Sequence, residues 1–201
     1  MSYKLQLKQD IKLAPLLKED NHILKRRKNT AIRLIASIIS QQLSTKVAKI
    51  IFDRFLDLYQ GKEPSCEQVM AMDPTVLRSI GLSNAKVVYV KNVAHFFLDQ
   101  KITDKQLYKM EPEAVIELLT QIKGVGRWTV EMLLMFSLGH ANVFAVDDLG
   151  IQQAMIKLYH IKFETKKELQ LKMLKRAEIW VPYKTYACLH LWKWKDTKAP
   201  V

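Results

Sequence analysis

Apolar residues return every three or four positions along almost the whole chain, and no segment carries a convincing strand pattern. Ile32, Ile35, Ile38 and Ile39 make one such face behind Asn29 and Thr30, which suit a helix start. Ser44 suits the cap of the next helix, whose apolar face reads Val47, Ile50, Ile51, Phe55 and Leu58. Pro74 fits a first helical turn and Gly81 a helix end. Ser83 opens a helix to about residue 100, and Pro112 starts another that ends at Gly124. The helical pattern resumes from Gly126 to Leu138, where Gly139 closes it. Asp147 and Asp148 stand at the start of a helix to about Tyr159, with Asp147 as its cap. Thr165 and Glu168 make a capping box, and Pro182 starts a last helix through Trp194. The pattern predicts about ten short helices, an all-α fold. The expected organisation is one domain over residues 1–201 with two helical lobes, approximately 30–105 and 1–29 plus 106–201, and a crossover near Ile102–Lys105.

Composition narrows the class of partner. With 201 residues, 49% of them hydrophobic, the chain can bury a sizeable core. Lys and Arg number 32 against 20 for Asp and Glu, a formal charge of +12, which points to a polyanion and first to nucleic acid. Charge alone fits a generally basic protein equally well. No apolar run is long enough to span a bilayer. Residues 1–20 alternate Lys with Leu and lack the apolar core of a signal peptide, so a cytoplasmic location is expected. Two cysteines, Cys66 and Cys188, are too few for a structural zinc site or a four-cysteine iron–sulfur cluster. His140 and His190 are isolated from metal-ligand spacing.

Two features carry candidate chemistry. Lys123-Gly124-Val125-Gly126 falls between two helical patterns, and the backbone N–H groups of such a turn can approach a phosphate closely. A plain turn between helices has the same signature. About twenty residues on comes the acidic pair Asp147-Asp148, which could meet a reacting nucleotide or simply cap a helix. Lys25 to Lys28 form a basic cluster that suits a solvated face or phosphate, and Lys193 and Lys195 flank Trp194.

Together with Arg127-Trp128 and Val143-Phe-Ala-Val-Asp-Asp-Leu-Gly150, the turn resembles the helix-hairpin-helix–GPD superfamily of DNA glycosylases. Ile38-Ile-Ser-Gln-Gln-Leu-Ser-Thr-Lys46 resembles its minor-groove loop, and Gly81 to Tyr89 the helical turn that follows. Trp180 to Ala187 and Leu189-His-Leu-Trp192 are similar to the C-terminal helix of the 3-methyladenine DNA glycosylase II branch. The likeness covers roughly residues 28–195, and the chain is too short for the N-terminal β-domain of some members.

The resemblance implies a compact two-lobed helical fold acting as a monomer on double-stranded DNA that holds a damaged base. It implies monofunctional hydrolysis of the N-glycosidic bond of an alkylated purine after base flipping, leaving an abasic site. The substrate would be 3-methyladenine, with 7-methylguanine or hypoxanthine as extensions. Asp148 aligns with the catalytic aspartate, where a carboxylate stabilises positive charge developing on deoxyribose. Trp128 stands where bifunctional relatives carry a Schiff-base lysine, so no lyase step is expected. Trp128 and Trp192 would wall the base pocket, with Met132 where some relatives have an aromatic residue; Tyr183 and Tyr186 would line it or pack in the core.

Gln42, with Leu43 beside it, takes the wedge position, although Leu43 equally suits a buried core site. Ser44, Lys46, Lys123, Gly124, Val125, Gly126 and Arg127 would contact DNA. The backbone carbonyls of Thr120, Ile122 and Val125 would bind a structural Na+ or K+, with no cofactor for catalysis and no iron–sulfur cluster. The enzyme would work at the nucleoid of a bacterium or in the nucleus of a eukaryote. Two other readings stay open: a helix-hairpin-helix DNA-binding module without activity, and a glycosylase for another lesion or mismatch. Asp148 and Trp128 separate the first from an enzyme, because binding alone needs neither.

Overall fold

Short polar side chains set most of the helix starts. In the computed structural model, which describes residues 2–17 and 21–197, twelve α-helices and no strand occur among the described residues. The remaining ends of the expected 1–201 domain lie outside those residues. In chain order the helices are α1 (Tyr3–Leu7), α2 (Thr30–Ser40), α3 (Thr45–Asp57), α4 (Cys66–Ala71), α5 (Pro74–Ser79) and α6 (Asn84–Asp99). There follow α7 (Asp104–Leu107), α8 (Pro112–Leu119), α9 (Arg127–Leu133), α10 (Leu149–Tyr159), α11 (Lys166–Ala177) and α12 (Lys184–Asp196).

Ser44, Ser65, Asp73, Ser83, Thr103, Asp148 and Thr165 each accept a backbone N–H from the first turn they precede. Ser65–Gln68 and Thr103–Gln106 are reciprocal capping boxes beyond those expected from the sequence. The box expected at Thr165 is only half formed, because Glu168 accepts from the Glu164 N–H instead. The cap of α10 is Asp148, not Asp147 as expected; Asp147 pairs with Lys166 and Gln170. The last helix begins two residues after Pro182, at Lys184.

The chain forms two units, residues 26–138 and residues 1–25 with 139–201. In the first, α2 is the axis: Ile32, Leu34, Ile35, Ile38 and Ile39 are fully buried against α3, α6 and α9. From α3 only Ile51 and Phe55 reach the core, whereas Val47 and Ile50 turn outward, contrary to the single apolar face expected. Residues 106–138 join this unit, unlike the expected lobe division. The reason is that α8 packs on α9 and α9 on α2, a long-range match that periodicity does not encode. The expected crossover near 102–105 instead holds α7, whose Asp104 accepts from the Asn29 N–H, the Thr30 N–H and the Thr30 hydroxyl and so caps α2.

In the second unit α10 packs along α12. Thr185, fully buried on α12, donates from Oγ1 to the His140 carbonyl (2.7 Å) and from its backbone to the Ala141 carbonyl (2.9 Å), while accepting from the Val143 N–H. These bonds fix the segment that leads into α10. On the other side of the unit, buried Asp10 accepts from the Tyr159 hydroxyl (2.8 Å), the Trp180 indole (3.1 Å) and the Lys12 and Leu13 N–H groups. Burial, and then Asp10, hold the Tyr159 hydroxyl well above its ordinary pKa. Asp10→Ala strips an acceptor from several donors in a dry core and should cost about 3 kcal/mol of unfolding free energy. Urea denaturation measures this, and a loss below about 1 kcal/mol would show that Asp10 is dispensable.

Candidate active site

The hairpin is built by two different glycine requirements. Gly124 has φ +103°, and a Cβ there would lie 2.2 Å from Cγ of Tyr89 on α6. Both the backbone and the packing therefore demand glycine. Gly126 has an ordinary φ of −95°, and a Cβ there would meet no other atom within 4 Å. Nothing inside the protein explains a glycine at 126. Val125 is buried and donates its N–H to the Ile122 carbonyl, closing the turn. Lys123 is exposed, and its carbonyl accepts from the Asn92 side chain.

Arg127, read from sequence as a DNA contact, is committed elsewhere. Its Nη1 and Nη2 make a bidentate pair with Glu113 of α8 at 2.7 and 3.0 Å. Its Nε donates to Glu131, which is 2% exposed, at 3.0 Å. The pair with Glu113, more than the burial that opposes it, raises the Arg127 pKa and lowers that of Glu113. The guanidinium thus braces α8 against α9 and sets the width of the hairpin. Glu131, four residues after Arg127 on the same helix, has the spacing of a local partner, whereas nothing local marks Glu113, fourteen residues back.

Behind α2 the chain makes a short loop. Gln42 takes a left-handed φ of +60° and is exposed. Leu43 is 37% exposed, so the core alternative for it is not what folds. The Ser44 hydroxyl caps α3, and Lys46 is exposed in its first turn. Trp128, 40% exposed, stands at the second position of α9. Met132 follows four residues later, on the same side of the helix and half-buried.

In the unit of residues 1–25 and 139–201, Asp148 does more than cap. Its Oδ1 accepts from the Ile151 N–H and from the Trp192 indole N–H of α12, both at 2.8 Å. Gly150 leaves room for this: a Cβ there would stand 3.0 Å from Asp148 Oδ1 and 3.2 Å from Trp192 Nε1, tight enough that the pair would have to shift by a few tenths of an ångström. The Asp-Leu-Gly run is therefore a device for seating an indole against a carboxylate. Tyr186 stacks on Tyr3 at 4.1 Å and meets Tyr183 edge-on at 5.9 Å, so the two tyrosines belong to one aromatic cluster. Lys157 lies over the Trp194 ring at 5.2 Å, between exposed Lys193 and Lys195. Among the described residues no group of three or more His, Cys, Asp or Glu side chains is arranged to hold a metal ion. No described helix is long and apolar enough to cross a membrane.

An all-helical chain with a glycine hairpin between helices, and a carboxylate fixed at the start of a later one, defines a helix-hairpin-helix protein of the base-excision class. The family described as HhH-GPD superfamily base excision DNA repair protein matches residues 35–178, and the chain belongs to it. The chain is 40% identical over 163 residues to DNA-3-methyladenine glycosylase 1 of Schizosaccharomyces pombe, covering 80% of this chain and 70% of that protein. It is 34% identical over 191 residues to the DNA-3-methyladenine glycosylase of Saccharomyces cerevisiae, covering 86% of this chain and 64%, less than two thirds, of that protein. Its fold superposes with a TM-score of 0.82 and 34% identity on the S. pombe 3-methyladenine DNA glycosylase in complex with abasic DNA, over 96% of each chain.

The two glycines separate by measurement. Gly124→Ala should cost about 2 kcal/mol or more, from strained φ and collision with Tyr89. Gly126→Ala should change unfolding free energy by less than about 0.5 kcal/mol. Equal losses in chemical denaturation would contradict the assignment of an internal role to Gly124 alone.

Proposed function

We propose that this chain is a monofunctional DNA N-glycosylase that removes alkylated purines, 3-methyladenine first, from double-stranded DNA and leaves an abasic site. The observation that carries the reading is Asp148, held through one oxygen by both the Ile151 and Trp192 N–H groups. A mere cap needs only the first of these. A half-buried indole turned onto the carboxylate, with Gly150 clearing room for it, is the construction expected of a group whose orientation matters.

Chemically, the N-glycosidic electron pair leaves with the base, and positive charge develops at C1′ of the deoxyribose. The Asp148 carboxylate stabilises that charge, and water adds at C1′ with loss of a proton. A cationic alkylated purine departs as a neutral molecule and needs no strong acid. Stacking the cationic base on the exposed Trp128 ring contributes about 0.5–2 kcal/mol. With Trp at position 128 there is no amine there to form a Schiff base. Met132 adds apolar surface beside that ring, and Trp192 orients Asp148.

On the DNA side, the left-handed Gln42, with exposed Leu43 next to it, fills the gap left by the extruded base. Lys46 and Lys123 meet phosphates, as do the backbone N–H groups around Gly124 and Gly126. The bare backbone at Gly126 fits close approach by a phosphate, which supplies the missing reason for that glycine. The carbonyls of Thr120, Ile122 and Val125 fit a structural monovalent cation. Thr120 ends α8, where helix carbonyls carry partial negative charge, and the Ile122 carbonyl has a second lone pair beside the one that accepts from Val125. In this proposal the protein works as a monomer wherever the genome lies, at a bacterial nucleoid or in a nucleus.

Asp148→Asn tests the assignment cleanly, because asparagine caps helices as well as aspartate does. The variant should fold and bind lesion duplex within about threefold of wild type, yet lose base release by about a hundredfold or more. Wild-type release from that variant would remove Asp148 from the chemistry. Trp128→Ala should slow release of cationic 3-methyladenine by about tenfold but affect neutral hypoxanthine less. An equal effect on both bases would contradict the cation–π role.

A further inference from the structure

Helix α6 carries three residues on one side, of which Tyr89 and Asn92 have been met at the hairpin and Lys86 has not. Lys86, Tyr89 and Asn92 recur at a spacing of three. The Lys86 ammonium donates to the Ile39 and Gln41 carbonyls, both at 2.8 Å, at the C-terminal end of α2. The Tyr89 ring lies directly beneath Gly124. The Asn92 amide donates to the Lys123 carbonyl at 3.2 Å. A cross-tie completes the frame, as the Gln41 amide reaches the Gly124 carbonyl and the Thr129 hydroxyl, each at 3.4 Å. One helix face thus supports both the Gln42 loop and the glycine hairpin.

Resting on the glycosylase reading, we propose that Lys86 is a positioning residue for the Gln42 wedge, governing base extrusion rather than duplex binding. A left-handed backbone at a non-glycine residue persists only where its surroundings impose it. Gln42 has that backbone at φ +60°, immediately after the carbonyl that Lys86 holds. The lysine charge also answers the negative end of the α2 dipole, which fixes where the helix stops and the loop begins. Burial lowers the Lys86 pKa, in keeping with an ammonium drawn off the surface for this task. The bonds of Lys86 run to the carbonyls that lead into the Gln42 loop, so its loss should act through Gln42 while exposed Lys46 and Lys123 stay in place to meet phosphate.

The same helix supplies a matched control. Lys91 donates to the Met70 and Met72 carbonyls at the end of α4, at 2.8 and 2.5 Å, in the same chemical arrangement but away from both loops. Lys86→Met and Lys91→Met are compared with wild type on a duplex carrying 2-aminopurine beside 3-methyladenine. The readouts are affinity, stopped-flow fluorescence of extrusion, and single-turnover base release. Lys86→Met should bind within about twofold of wild type while extrusion and base release fall about tenfold; Lys91→Met should match wild type in all three. Normal extrusion by Lys86→Met, or equal loss in both variants, would overturn the proposal. Should Lys86→Met fail to fold, Lys86→Gln carries the same comparison, with the same outcomes. A wild-type chain that releases no base would overturn the glycosylase reading and this inference with it. An active wild type beside an unimpaired Lys86 variant would overturn the inference alone.

Discussion

The proposed chemistry turns on one carboxylate oxygen. Asp148 Oδ1 receives the Ile151 N–H, in the first turn of α10, and the indole N–H of Trp192, and these two bonds orient the side chain. Each needs its own support. The N–H of Ile151 belongs to a helix whose approach is held at residues 140–143 by buried Thr185. The indole can come close because position 150 lacks a Cβ. A group meant to stabilise transient charge gains most from such fixation, since dipoles already oriented need not reorganise during the reaction.

The hairpin follows a second constraint, the distance between α8 and α9. The bidentate Glu113 pair and buried Glu131 hold Arg127 from both sides. The Arg127 charge is therefore taken up by geometry, and in the proposed complex the backbone and exposed lysines meet phosphate. Such an exchange suits a clamp that reads no sequence: phosphate contacts fix register, while the lesion itself supplies specificity.

Local chemistry was legible in the sequence, and pairing across long separations was not. The helical faces of α2 and α6 and the turn at Gly124 follow from residues within a few positions of one another, while the roles of Trp128 and Asp148 come from the likeness of the surrounding motif to the family. Asp147 and Asp148 have equal local potential as caps. The choice between them is made by Trp192, 44 residues away, which no periodicity registers. Asp104 capping α2 from 74 residues on, and Lys86 closing its other end from 45 and 47 residues on, belong to the same class. The boundary between units was missed for a related reason, because the apolar faces of α8 and α9 do not announce that they pack toward α2. Val47 and Ile50 erred the other way: they are apolar at helical spacing yet exposed, which the hydrophobic pattern reads as core.

The central claim is that the chain releases an alkylated base and does nothing further to the strand. Incubation with a panel of duplexes, each bearing one defined lesion, tests it when free base, abasic sites and strand breaks are scored together. The account predicts free 3-methyladenine, an equal yield of abasic sites and an intact strand. Tight binding of the lesion duplex without base release, or release accompanied by strand cleavage, would contradict it.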